Sequence, residues 1–131
     1  MWTVEQLKAI ETTGTNIIVS AGAGSGKTTV LTERVIRKLK SGVDINKLLI
    51  LTFTEAASQE MKERIRSAIQ KEGNLDRQLD LLTTAYICTF DSFSLSMVRK
   101  YHYLLNINSN VSIMDNNINF LQVKRFLDQI F

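Results

Sequence analysis

Eight consecutive residues, Ala21-Gly22-Ala23-Gly24-Ser25-Gly26-Lys27-Thr28, set three glycines ahead of a lysine and a hydroxyl. Residues of these types in this order can hold phosphate. Glycines let successive backbone N–H groups converge on an anion, and a helix starting directly after them adds its positive N-terminus. The Lys27 ammonium reaches the outer phosphates and the Thr28 hydroxyl is offered to Mg²⁺. The loop predicts a nucleoside triphosphate with Mg²⁺, bound by Ala21, Gly22, Ala23, Gly24, Ser25, Gly26, Lys27, Thr28 and Thr29. Lys27 and Thr28 take the catalytic roles, and Thr28 is the metal ligand. The common motif opens with glycine where this chain has Ala21, so the match rests on the Gly-Lys-Thr ending and on a strand-to-helix context. The bland alternative is a glycine-rich turn that happens to precede a lysine.

The elements that must position this loop follow from patterning. Val4 to Glu11 lacks breakers and reads as a short helix, and Gly14 and Asn16 then punctuate a turn before Ile17-Ile18-Val19, a β-branched run that predicts a buried strand. After the loop, Val30, Leu31, Val35, Ile36 and Leu39 recur at helical spacing over Lys27 to Lys40, with Gly42 as the stop. Leu48 to Leu51 predicts a second strand buried on both faces. Glu55 to Lys71 predicts an amphipathic helix with Ala57, Met61, Ile65, Ala68 and Ile69 as its stripe. Tyr86 to Phe90 predicts a third strand, with Cys88 read as core, and Ser92 to Tyr103 a further helix. Strands alternating with helices imply an α/β fold with a parallel sheet. Asparagines at 106, 108, 110, 116, 117 and 119 mark a loop-prone boundary, and a last helix patterns over Phe120 to Phe131 with no stop signal, as if a longer polypeptide continued.

Composition bounds the function without choosing it. The chain has 131 residues, 44% of them apolar, enough for one core. Sixteen basic against thirteen acidic residues leave a net charge of +3, which suits a phosphate-rich partner without demanding one. A single cysteine builds neither an internal disulfide nor a multi-cysteine metal site and points to a reducing, cytoplasmic setting. The start has no secretory pattern, and apolar runs such as Leu48–Leu51 are far too short to span a bilayer, so no membrane association is expected.

The Ala-first loop, with Gly24, Gly26, Lys27 and Thr28 as fixed points, resembles motif I of the UvrD/Rep-like superfamily 1 DNA helicases, and other segments line up in order. Trp2 to Ile10 resembles that family's Q motif, which makes Gln6 the adenine reader; a carboxamide can pair with both N6 and N7 of that base. Leu51-Thr52-Phe53-Thr54-Glu55-Ala56-Ala57 is similar to motif Ia and Thr89-Phe90-Asp91-Ser92-Phe93 to motif Ib. The resemblance therefore implies that Thr52, Phe53, Thr54, Thr89, Phe90 and Ser92 contact single-stranded DNA, an aromatic meeting a base and hydroxyls meeting phosphate. Where the family has asparagine and histidine, this chain has Glu55 and Asp91. Two negative charges near a DNA path oppose phosphate, although an acid at a helix start also complements its dipole.

The phrases Asn16 to Ala21, Thr32 to Lys38 and Val111 to Asp115 are most similar to the AddA-type helicase–nuclease branch of the family. The resemblance implies an incomplete P-loop, RecA-like ATP-binding domain over residues 1–105. The beginning of an inserted, 1B-like helical subdomain follows over 106–131. It also implies two partners, DNA (single- or double-stranded) and a second helicase–nuclease subunit, with a role in double-strand break repair. The family's Asp-Glu motif that holds Mg²⁺ and positions water does not occur in the chain. Asp91 is the better substitute and Asp115 a weaker one, so the fragment alone is expected to be inactive. Two other readings stand beside the helicase: a self-contained P-loop kinase or ATPase using Asp91 and Glu55, and a noncatalytic nucleotide-binding module.

Overall fold

The computed structural model describes residues 2–130, which form two compact units, one ending at Thr89 and one beginning at Phe90. In the first, α1 (Val4–Glu11) starts at a reciprocal capping box: the Thr3 hydroxyl accepts from the Gln6 N–H while the Gln6 carboxamide accepts from the Thr3 N–H. The loop follows, then α2 (Lys27–Lys40), whose last turn carries Arg37, Lys38 and Lys40 where cations complement the helix dipole.

A pair of parallel strands, β1 (Leu49–Thr52) and β2 (Tyr86–Thr89), matches Leu49 with Tyr86, Ile50 with Ile87, Leu51 with Cys88 and Thr52 with Thr89. They are joined through α3 (Glu55–Glu72) and the short α4 (Asp76–Leu81), which the apolar pattern does not announce. Helix α3 buries Met61, Ile65 and Ile69 at four-residue spacing, and these pack with Val35, Ile36 and Leu39 of α2, Ile45, Ile50, Leu82 and Ile87. Ahead of β1, the Ile45 N–H donates to the Gln78 carboxamide at 2.9 Å and that carboxamide donates to Asp44 at 2.8 Å. A buried polar group is thereby satisfied where the chain enters the sheet.

Three expectations are corrected. Residues 17–19 form no strand: they carry no regular secondary structure, and Ile18 is 99% exposed. A strand exists only through ladder bonds to a neighbour, and the two strands of the described residues pair with each other. Likewise β1 is not buried on both faces. Leu49 is 48% exposed while Ile50 is buried, because two strands and their crossover helix cover one side only. Cys88 lies outside the core: pleating turns Ile87 and Thr89 of β2 inward and leaves Cys88 half-buried.

The second unit holds α5 (Phe90–Tyr101), a 3₁₀ turn (His102–Leu105) closed by Asn106 in the left-handed region at φ 52°, and α6 (Asn116–Ile130). Helix α5 starts two residues earlier than the pattern predicts, and α6 four residues earlier, since Asp115 accepts the Asn117 N–H at 2.8 Å and so seeds its first turn. The Arg99 guanidinium donates to the Val111 carbonyl at 2.9 Å and ties the intervening loop to α5.

Candidate functional site

The loop is shaped by two glycines. Gly24 and Gly26 lie at φ 75° and 82°, the left-handed region that a side chain disfavours by about 1–2 kcal/mol. Gly26 is the N-cap of α2. It offers no side chain to the first N–H groups of the helix, and the first turn contains no acid. Unspent donors, a positive helix end and no competing carboxylate are what an anion requires.

Lys27 opens α2 and folds back over the loop, its ammonium donating to the carbonyls of Ala21 at 2.8 Å and Gly22 at 2.6 Å. Phosphate oxygens would compete with these two carbonyls for the same three donors. Thr28 follows, half-buried, and its carbonyl accepts from the Thr32 hydroxyl at 2.9 Å within α2.

Gln6 is brought to the loop from nineteen residues away: its Nε2 donates to the Ser25 carbonyl at 3.2 Å, and its Oε1 accepts from the Thr3 N–H at 3.0 Å. A carboxamide has two donor hydrogens and two acceptor positions. One of each is engaged with protein, so a donor and an acceptor remain for the edge of a base. The register of α1 against α2 is held by arginines. Arg34 donates to the carbonyls of Ala9 and Ile10 at 2.7 and 3.2 Å, and Arg37 bridges Glu11 and Glu33 at 2.6 and 3.1 Å, which raises its already high pKa. Beside the loop lies a cavity of about 550 Å³ with Gln6, Ala21, Lys27, Val30, Leu31 and Arg34 among its walls.

At the end of β1 the segment with motif Ia likeness divides its work. Phe53 is 93% exposed. The Thr54 hydroxyl accepts the Ala57 N–H at 3.1 Å and caps α3, and the Thr52 hydroxyl lies 2.6 Å from that of Ser58, which is buried. Thr89, the last residue of β2, is buried and donates its hydroxyl to Glu55 Oε1 at 2.9 Å. A cavity of about 400 Å³ has walls from both regions, Lys27 and Thr28 on one side and Thr52 and Phe53 on the other. Phe90, 54% exposed, Asp91 and Ser92 form the first turn of α5 in the second unit. Among the described residues no three His, Cys, Asp or Glu side chains form a metal-binding group. The carboxylate of Asp115 is engaged with the start of α6.

Two roles were not legible in the sequence. Ser58 continues the buried stripe of α3 one turn toward its N-terminus, where a polar residue in an amphipathic pattern reads as surface. Arg34 reads as one more cation on a helix until its acceptors, the carbonyls at the end of α1, are known.

The chain that carries this glycine loop and uncapped helix start matches the family model for the UvrD/REP helicase N-terminal domain over residues 2–130. The chain belongs to that family. Among its relatives is the AddA chain of the ATP-dependent helicase/nuclease from Pediococcus pentosaceus, 47% identical over 124 residues, which span 87% of this chain and 10% of that protein. The AddA proteins from Bacillus licheniformis and Enterococcus faecalis are 45% and 50% identical, covering 99% and 82% of this chain but 11% and 9% of their own lengths. The chain thus spans about a tenth of the length of the curated relatives it matches. No helix among the described residues is long and apolar enough to cross a membrane.

Proposed function

We propose that this chain is the ATP-binding front of an ATP-dependent DNA helicase/nuclease of the AddA type, with the loop Ala21–Thr28 as its phosphate seat. The observation that carries the reading is the convergence of Gly24, Gly26, Lys27 and the uncapped start of α2 with Gln6 hydrogen-bonded to the same loop. Lys27 takes the outer phosphates, Thr28 offers its hydroxyl to Mg²⁺, and the remaining donor and acceptor of Gln6 read N7 and N6 of adenine. Bound Mg²⁺ would neutralise charge building on the transferred phosphoryl group. In the first unit single-stranded DNA is met at the strand ends, with exposed Phe53 as the stacking surface; Phe90 and Ser92, at the start of α5 in the second unit, are further contacts by family resemblance. The parent protein unwinds DNA in double-strand break repair together with a second subunit. The rest of the RecA-like sheet and the remainder of the helical insertion that α6 begins come from the longer polypeptide. On this reading the isolated chain binds nucleotide weakly and hardly turns it over; DNA-stimulated ATPase activity of the chain alone would contradict it and promote Asp91 to metal ligand.

The experiment compares ATP and GTP binding by calorimetry in the parent protein and its Gln6→Ala variant. ATP affinity is expected to fall about tenfold with GTP little changed, because a base-edge pair is lost while the phosphate contacts stay. An undiminished preference for ATP in the variant would remove Gln6 from the site.

A further inference from the structure

Helix α3 is fastened at its first turn to the ends of both strands, and the two fastenings are related by register. Thr52 of β1 and Thr89 of β2 are directly paired across the sheet. Thr52 contacts Ser58 through its hydroxyl at 2.6 Å, and Thr89 donates to Glu55 at 2.9 Å. Glu55 and Ser58 are three residues apart and so share one face of the helix. One partner of each stitch is buried, Thr89 at 8% and Ser58 at 2% exposure, while Glu55 is exposed and Thr52 half-buried, so each bond is part-shielded from water. Between the stitches the chain turns through Phe53, which stands 93% exposed.

We propose that Glu55 is a positioning residue for nucleic-acid contact: by clasping Thr89 it holds the end of β2 and the start of α3 in one frame, and so fixes the turn that presents Phe53 to a base. The inference rests on the DNA-contact reading given above. It also gives the negative charge at this position a role. The carboxylate lies in the first turn of α3, where the helix dipole favours it, and accepts a hydrogen bond from within the protein. Thr89 is accordingly a part of the frame, reaching DNA through what it holds in place.

Charge and clasp can be separated in the parent protein by two variants. Glu55→Asp keeps the charge and the preference for a helix start but is one methylene short of Thr89. Glu55→Gln keeps an acceptor oxygen at the same reach and loses the charge. Binding of an oligothymidylate, followed by fluorescence anisotropy, is expected to weaken about three- to tenfold in Glu55→Asp and in Thr89→Val, and no further when the two are combined. Glu55→Gln and Thr89→Ser are expected to bind at least as tightly as the parent. Because the same phosphates are met, the salt dependence of Glu55→Asp should match that of the parent. Hydrogen exchange over residues 52–58 in DNA-free protein should quicken in Glu55→Asp and Thr89→Val alone. The clasp is overturned if Glu55→Asp binds as the parent does, if Glu55→Gln weakens binding as much as Glu55→Asp, or if exchange is unchanged in all four variants. Loss of the DNA-contact reading itself has a different signature: parent protein that does not bind the oligonucleotide, or binds it equally well as Phe53→Ala.

Discussion

Replacing Gly26 by alanine isolates the backbone contribution to the loop proposed as the phosphate seat. At φ 82° and ψ 21° the residue is in the left-handed region, and a Cβ there would meet only Gln6 Nε2, at 3.5 Å, an ordinary contact. The cost is therefore conformational, about 1–2 kcal/mol. That strain is felt once. If the variant loop keeps its shape, folding stability drops by that amount and nucleotide affinity does not. If the loop relaxes, stability is spared and nucleotide must restore the shape, so affinity falls about five- to thirtyfold. The losses measured by urea unfolding and by calorimetry should sum to about 1–2 kcal/mol. Gly73→Ala is the control: φ is 68°, nothing lies within 4 Å of the added carbon, and the position ends α3. Its whole cost should appear in stability and none in nucleotide binding. A Gly26→Ala protein with neither loss would refute the loop geometry, and an equal affinity loss in Gly73→Ala would refute its assignment as the phosphate seat.

Other expectations follow from the same geometry. Lys27→Ala should leave the fold intact, since the ammonium is exposed, while weakening nucleoside triphosphate binding; equal affinity in a folded variant would remove the lysine from the site. Ile18→Ser should change the stability of the chain by less than about 0.5 kcal/mol, whereas Ile65→Ala, at a fully buried position, should cost about 2–5 kcal/mol in urea unfolding. Partial burial, and after it the Glu55 charge, push the Cys88 thiol above its usual pKa. Its alkylation at pH 8 should be slower than that of the unfolded chain and should quicken in Glu55→Gln. The linkage sign follows: above the ordinary thiol pKa the unfolded chain has released this proton and the folded one has not, so Cys88 lowers stability as pH rises through that window. A thiol as reactive in the folded as in the unfolded chain would contradict this.

Local chemistry made much of this protein readable from its sequence. The loop Ala21–Thr28 is a contiguous run whose glycines favour one backbone shape, and the cap at Thr3 and the stripes of α2 and α3 depend on neighbours three and four residues away. Helix limits at Val4, Glu11, Lys27 and Lys40 follow from such short-range rules. What needed the tertiary structure was every decision made by a distant partner. Ile17-Ile18-Val19 has the composition of a strand, but a ladder needs a neighbour, and β1 and β2 pair with one another. Cys88 and Thr89 exchange the burial their polarity suggests because the pleat turns Thr89 toward α3. Glu55 reads as a charge opposed to DNA until its acceptor oxygen is seen on Thr89, thirty-four residues along the chain. Sequence patterns state what each segment prefers; only packing states which hydroxyls, carboxylates and carbonyls meet.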